Sequence, residues 1–514
     1  MEVAGLGLGI FAATDLCIKY GRILVEKYAT FKGAEAEIDE RILYVQSHWK
    51  RTAIQLDFII RIWKDLDEEH QTIQTRILQV LNGKLSIAIS KLEDLYIKES
   101  DNQTSERQLM KRKKLKYVLI KRYLDESIED LASWQKMFDP SWFLILKVSS
   151  ILIDKELSTN GSAVSSLTGA YSVRDALREH PLGNVHVFLP KDEFEKARMR
   201  EIPFASARCM QRAGSDKWLV VDCIPCHLET DISLLTKDVR ELARKLSSVD
   251  PLTFGILRCR GVVRVMEPSS GRPSSFNFIF QVPNTLGDEP RSLRAYLSSD
   301  RGHTLTDRFR IAKQLAKSVS YVHTLGFVHK NIRPETVLGF QTKESGADWF
   351  FLVGFEKMRT ADGRTQWLGD SPWEKNLYRH PHRQGLKPED IYTMQHDIYS
   401  LGVCLLEVGL WRSFLLYEDS ATAPLPAPAL GIALDGPEFK KPILIKEHLV
   451  ALARRDLPKR MGERYEEIVV NCLTCLDQDN ADFGDQSEFE DRDGVLIGVK
   501  YIEKILLKLD EIVV

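Results

Sequence analysis

Cysteine is scarce in this chain, eight among 514 residues. That is too few for a disulfide scaffold and fits a reducing, cytosolic setting. Neither charge sign is in excess: 71 Lys and Arg face 73 Asp and Glu, a formal charge of −2. The balance gives no reason to expect nucleic acid as a partner. A long apolar run is also missing. The N-terminal one, from Val3 to Ala13, is ended by Thr14 and Asp15. A helix over Val3–Ile18 would be about 24 Å long, short of a hydrocarbon core of about 30 Å. Positive charge ahead of it is lacking, with Glu2 the one early charged side chain. It therefore does not read as a secretory signal. It reads as a packed helix, or as one that enters a membrane only on activation. Glycine and proline, 30 and 20 residues, are too few for a collagenous or low-complexity chain. No repeat of fixed period occurs.

What is present is an ordinary globular composition, 44% hydrophobic and 28% charged, on a length that predicts about two to four domains. Residues 1–150 read as a helical bundle. Ile38, Ile42, Val45, Trp49, Thr52, Leu56, Ile59, Trp63 and Leu66 recur in alternating steps of four and three, one helix stripe. Ile73, Ile77, Leu81, Leu85, Ala88, Leu92 and Leu95 make a second stripe. Leu115 to Leu131 suggests a further long helix, with the aromatic-rich stretch Trp134–Val148 closing the bundle. Asp101–Glu106 reads as a loop.

Ser158–Gly169 is small and polar, as linkers are. From about Ile202 short β-type runs appear: Lys217–Ile224, Gly261–Val265 and Phe276–Val282. From Leu305 the texture is helical, with short strands near Thr336–Phe340 and Trp349–Phe355. Strands followed by helices predict a two-lobed α+β domain.

His329-Lys-Asn-Ile-Arg-Pro-Glu-Thr-Val-Leu338 follows a helix ending near Gly326 and resembles the protein-kinase catalytic loop, H-R-D-L-K-P-E-N-V-L. His396-Asp-Ile-Tyr-Ser-Leu-Gly402 resembles the start of the family's helix F. Tyr378-Arg-His-Pro381 stands where the family has Ala-Pro-Glu. The three come in order and cover roughly residues 200–510. The chemistry that the resemblance requires is missing. Asn331 replaces the catalytic Asp, Arg333 the loop Lys and Thr336 the magnesium-binding Asn. Gly354-Phe355-Glu356 replaces D-F-G. An amide is no carboxylate base, and glycine offers magnesium no oxygen. No G-x-G-x-x-G precedes the strand L-V-V-D-C, which has no Lys where V-A-I-K is expected, and Glu241 in the next helix loses its usual partner. His329, Phe355 and Asp397 match packing positions, Asp397 as the carboxylate that braces the loop. The resemblance implies a pseudokinase, not an enzyme, needing no cofactor or metal. Nucleotide binding without magnesium stays open.

Other motifs carry less. Asp482-Phe483-Gly484 spells D-F-G but lies far beyond the loop and reads as a surface turn. Cys223-x-x-Cys226-His227 and Cys472-x-x-Cys475 are too far apart for one zinc site and read as core thiols. Asp491-x-Asp493-Gly494 lacks the flanking ligands of a calcium loop. The acidic stretch Asp477–Asp493 reads as a solvated loop.

The opening AGLGLGIFAATDLCIKYGRIL, the TFKGAEAEIDERIL stretch and the pattern Trp49, Arg51, Gln55, Leu56 resemble the fungal HeLo, or prion-inhibition and propagation, domain. Its members are membrane-active cell-death effectors. A bundle followed by a pseudokinase resembles the mixed-lineage-kinase-domain-like proteins of necroptosis. Gly5 and Gly9 form G-x-x-x-G around Leu8, a close-packing face for helices in lipid. Lys111, Arg112, Lys113 and Lys114 open a segment with seven basic residues up to Arg122, suited to anionic lipid at about 1 kcal/mol per charge.

These readings imply an α+β chain: a HeLo-like all-α bundle at 1–150, a linker or brace at 151–200 and a two-lobed kinase-like domain at 201–514. The expected protein is a cytoplasmic signalling effector, recruited to the plasma membrane and self-associating on activation. Its expected partners are anionic lipids and an upstream receptor with a matching helical or amyloid signalling motif. Two alternatives stand beside it. One is a divergent active Ser/Thr kinase, with Lys217 as substitute lysine and Glu356 as metal ligand. The other is a non-catalytic oligomerising scaffold.

Overall fold

The computed structural model describes residues 2–33, 35–97, 106–147, 151–160, 173–177, 186–227, 230–268, 270–299, 302–344, 346–357, 359–360, 372–385, 392–417, 423–433, 436, 441–484 and 495–512, with backbone alone at several element ends. Helix and sheet are mixed, and the chain divides into two compact units, Met1–Tyr171 and Ser172–Val514.

The first unit has helices α1 (Glu2–Ala29), α2 (Ala36–Ile62), α3 (Glu68–Ile97), α4 (Glu106–Ile145) and α5 (Ile151–Asn160). The stripe from Ile38 to Leu66 is buried throughout. It leaves α2 at Ile62 for a 3-10 turn, Trp63–Asp65. The side chains at 49–56 tie this unit together. A Cβ on Gly21 of α1 would lie 2.1 Å from the Trp49 indole, so only glycine lets α1 approach α2 there. Arg51 Nη2 donates to Asp139 Oδ1 at 3.0 Å, and Gln135 Nε2 donates to Gln55 Oε1 at 3.0 Å. Both bonds join α2 to α4.

Trp134–Val148 is not a separate closing segment. Up to Ile145 it continues α4, through Pro140. The stripe Leu124, Leu131, Trp134, Phe138, Trp142 stays in helical register, and Trp134 stacks on Phe138 with ring centroids 4.8 Å apart. α5 falls in the stretch read as linker, yet Ile153 and Leu157 are buried and Glu156 Oε2 pairs with Arg61 Nη1 at 2.9 Å. α1 is longer than the sequence suggested, 28 residues. After Asp15 its second half carries Lys19, Arg22, Glu26 and Lys27. No helix among the described residues is long and apolar enough to cross a membrane.

The second unit opens with a six-stranded sheet of order β1-β5-β6-β4-β3-β2. The strands are β1 (Phe188–Leu189), β2 (Arg198–Glu201), β3 (Arg208–Gln211), β4 (Trp218–Pro225), β5 (Arg258–Met266) and β6 (Pro273–Gln281). β1 is parallel to β5, and the other neighbours are antiparallel. Helix α6 (Ile232–Ser247) links β4 to β5. β1, like α5, lies in the stretch read as linker.

The remainder is helix-rich. β7 (Arg291–Ser292) leads through α7 (Leu293–Leu297) to α8 (Leu305–Thr324) and β8 (Phe327–Val328). β9 (Val337–Gln341) and β10 (Asp348–Leu352) form a sheet with β7, and β11 (Arg359–Thr360) pairs with β8. Next come α9 (Met394–Leu410), α10 (Pro442–Met461) and α11 (Glu463–Leu473). Every residue of α9 is buried, as expected of a helix apolar on nearly all sides. The Asp482–Gly484 turn is no bare surface loop. Phe483 is buried, and Asp482 pairs with Lys504 and Lys508. Asp477 pairs with Lys446, so this end of the acidic stretch is anchored; residues 485–494 lie outside the described residues.

Candidate functional site

Three segments meet around the 329–336 loop. β8 feeds the loop, β10 ends at the turn Gly354–Glu356, and β4 carries Asp222 to the same place.

Asp397, on the first turn of α9, holds the loop from beneath. It accepts from His329 N at 2.7 Å and Lys330 N at 2.9 Å, and from the Tyr392 hydroxyl at 2.7 Å. His323 Nε2 lies 3.1 Å away. Lys330 takes a left-handed φ of 64°, which aims two successive N–H groups at one carboxylate. Burial works to raise the Asp397 carboxyl, but the hydrogen bond and charge of His323, with His329 and Tyr392, hold it below the usual carboxylate range. His329 is itself buried, and its imidazole is pushed down to about 4. Its Nε2 lies 3.1 Å from Val353 O, and its ring lies 4.9 Å from that of Phe355.

Asn331 is committed on both sides of its amide. Nδ2 donates to Gly354 O at 3.1 Å and to Glu356 Oε1 at 3.2 Å, and Oδ1 accepts from Arg333 Nε at 3.0 Å. A carboxylate there would face the carbonyl and Glu356 without a proton to offer. Thr336 Oγ1 donates to Asn331 O at 2.8 Å, and its methyl fills the space above Gly354. A Cβ on Gly354, whose φ is +86°, would lie 2.3 Å from Thr336 Cγ2. The turn therefore has no room for a side chain at 354.

Asp222 is the residue the sequence reading passed over. Its letter was visible in L-V-V-D-C, but its partners lie over a hundred residues on. Oδ2 accepts from Gly354 N at 2.9 Å and Phe355 N at 2.7 Å. Burial pushes its carboxyl up to about 7; Glu356 adds to the push, while the N–H groups of Phe355, Gly354 and Cys223 oppose it. Glu241 pairs within α6, with Lys245 at 2.9 Å. Lys245 Nζ in turn donates to Leu325 O at 2.7 Å, at the end of α8.

Beside this place lies a buried cluster that the sequence did not suggest. Arg294 Nε donates to Glu335 Oε1 at 2.8 Å, and Nη1 to Glu407 Oε1 at 2.6 Å. Its Nη2 meets the Tyr378 hydroxyl, which donates to Glu407 Oε2 at 2.7 Å. Tyr378 thus serves a fully buried ion network.

Lys217 stands apart from the turn. Its Nζ donates to Asn284 Oδ1 at 3.2 Å, lining a cavity of about 530 Å³ with Arg212, Arg260 and Lys343. Glu356 accepts from Asn331 as above, and no group of three His, Cys, Asp or Glu that could hold a metal occurs among the described residues. Cys472 and Cys475 are buried; Cys223 and Cys226 are half-buried rather than core thiols, and all four are free.

In the first unit Gly5, Leu8 and Gly9 lie on α1 and Lys111, Arg112, Lys113 and Lys114 on α4. Their side chains are outside the described residues. Of the later basic residues, Lys121 pairs with Glu37 at 2.6 Å and Arg122 with Glu126 at 3.4 Å. A scan against models of known protein families matches nothing in this chain, and a search of curated proteins matches nothing either.

Proposed function

We propose that the second unit is a pseudokinase that restrains or senses, and that the first is a HeLo-like, membrane-active effector of regulated cell death. The observation that carries the non-catalytic reading is the crossing of Asn331, Thr336 and Asp222 at the Gly354–Glu356 turn. The amide is used up, a methyl fills the space where the kinase resemblance expects a metal-binding side chain, and a carboxylate stands where it expects a lysine. The sheet order β5-β6-β4-β3-β2, with α6 between β4 and β5, supports a two-lobed kinase-like unit. Supporting the HeLo reading, Trp49, Arg51 and Gln55 each join two helices.

The effector works in this reading by self-association at anionic membrane, α1 and the basic start of α4 making contact with lipid. The cytoplasmic location, the recruitment and the upstream receptor belong to the same proposal. The test is dye release from vesicles by the full chain and by residues 1–171, which retain α5. Release from anionic vesicles is expected, with the shorter protein more active. Leu8→Glu should abolish it, because a charge within the membrane costs about 2.5–3.5 kcal/mol per helix. Changing Lys111, Arg112, Lys113 and Lys114 to Ala should weaken binding to anionic but not neutral vesicles. Folded 1–171 that releases nothing would favour the scaffold. Phosphotransfer above about 0.1 s⁻¹, against a kinase range of about 1–100 s⁻¹, would favour the active kinase.

A further inference from the structure

β4 alternates in the usual way. Leu219 and Val221 enter a hydrophobic cluster with Met210, Val263 and Ile279. Asp222 is on the other face, paired in register with Phe278 of β6 and 1% exposed. A carboxylate in the middle of a buried strand is costly unless hydrogen-bonded. Here it finds two N–H groups of one turn, from residues that β4 does not otherwise pair with. Gly354 makes this geometry available: its positive φ turns its own N–H and that of Phe355 to the same oxygen, and Thr336 fills the space a side chain would need. Phe355 is then pinned between Phe280, at 6.1 Å, and His329, at 4.9 Å between ring centroids. Glu356, next along, adds a second carboxylate on the loop side, held by Asn331.

We propose that Asp222 is a latch tying β4 to the Gly354–Glu356 turn, and that the acid-lined place so sealed excludes phosphate-bearing ligands, nucleoside triphosphates among them. The two parts share a cause. The N–H groups that could meet a phosphate oxygen are already occupied by a carboxylate of the chain itself. An incoming polyphosphate would have to displace Asp222 and then lie beside Asp222 and Glu356. Like charges at such range repel strongly in a site shielded from water. The latch joins the sheet-rich part of the second unit to its helix-rich part. Its release would free the turn, and the chain beyond it, from β4. This rests on the reading of the second unit as a non-catalytic restraint, to which it adds the contact that holds the restraint closed.

The experiment is hydrogen exchange of the full chain at peptides covering residues 352–357, with parent, Asp222→Ala and Asp222→Asn compared. In the parent the Gly354 and Phe355 amides should be protected. Asp222→Ala should speed their exchange by about tenfold or more, whereas Asp222→Asn, which keeps a carbonyl acceptor, should stay within about threefold of the parent. Parent amides that exchange like free loop, or a folded Asp222→Ala protein as protected as the parent, would overturn the latch. The parent result decides even if Asp222→Ala does not fold. Calorimetric titration of the parent with ATP, with and without magnesium, should show no binding up to about 1 mM; a dissociation constant below that overturns the exclusion. Vesicle release is scored on the same proteins. A latch that behaves as expected in a chain that releases no dye stands, and it is the effector reading that falls.

Discussion

Asp222 and Asp397 are two buried acids with the same primary contact and opposite outcomes. Each accepts a pair of adjacent backbone N–H groups, at 2.7 and 2.9 Å in both cases. Asp397 also has the Tyr392 hydroxyl and His323, and its carboxyl is held down. At Asp222 burial, with Glu356 as neighbour, pushes the carboxyl up to about 7. Peptide donors alone are therefore not enough to offset burial of a charge; the side-chain partners, His323 and Tyr392 at Asp397 and Glu356 at Asp222, decide its state. Asp397 is a permanent strut. Asp222 sits at the edge of ionisation near neutral pH.

The largest effect expected is from Asp397→Ala. It strands His329 N, Lys330 N, the Tyr392 hydroxyl and His323, at about 1–3 kcal/mol for each unmet donor. Urea unfolding of the full chain should show the second unit destabilised by several kcal/mol; an unchanged midpoint would remove the strut.

Asp222→Asn should differ from it in sign and in pH dependence. The Asp222 carboxyl is raised from an unfolded value near 3.8 to about 7. The folded state holds its proton where the unfolded state has lost it. Its contribution to stability is therefore full below the unfolded value and is lost as pH rises through about 7. Asp397 is shifted the other way, so its contribution is present above its unfolded value and lost only as pH falls through its lower folded one. Asp222→Asn should thus gain on the parent by about 1–3 kcal/mol between pH 5 and pH 8, the gain levelling off above about pH 7. Urea midpoints from pH 5 to 8.5 make the comparison. A parent and variant that differ equally at all pH values would mean that Asp222 does not titrate in this range.

Glu356→Gln makes the smallest change. Removing the neighbouring charge should lower the pH at which the gain of Asp222→Asn over the parent levels off. No movement would leave burial as the whole cause of the raised carboxyl.

Asn331→Asp sharpens the contrast between letter and environment. It restores the acid that the kinase resemblance expects, but places it against Gly354 O and Glu356. We expect about 1–3 kcal/mol of destabilisation and no phosphotransfer, by the same unfolding and kinase assays. Turnover on restoring one carboxylate would show the turn to be more adaptable than its packing suggests.

Periodicity made the helices of the first unit legible, because a stripe in steps of three and four has one solution in α-helix. It could not tell that α4 runs through Pro140, since a local breaker was outweighed by the buried aromatics on both sides of it. Nor could it tell that α5 docks: Ile153 and Leu157 lie in a stretch too short for a periodic stripe to be read, and their burial comes from packing within the first unit. In the second unit the strands near Trp218, Gly261, Phe276, Val337 and Trp349 were legible from β-type composition, and Asp397 from its motif. Arg294 and Glu407 gave no signal, and Glu335 and Tyr378 were visible only as letters of kinase-like motifs, because an ion network assembled from four separated segments has no spacing to read.

By itself the sequence determined which groups are absent: no carboxylate at 331 or 354, no amide at 336, no lysine at 222, where the strand reads L-V-V-D-C. Those are properties of single positions, and no fold can supply the missing atoms. Only the tertiary structure decided what the substitutes do. Thr336 becomes the filling above a glycine, Asn331 a two-sided clasp, and Asp222 an acceptor for a turn 132 residues away. Each of those roles depends on distance, burial and the charge of a neighbour. These are set where chain segments meet, and residues remote in sequence carry no local trace of the meeting.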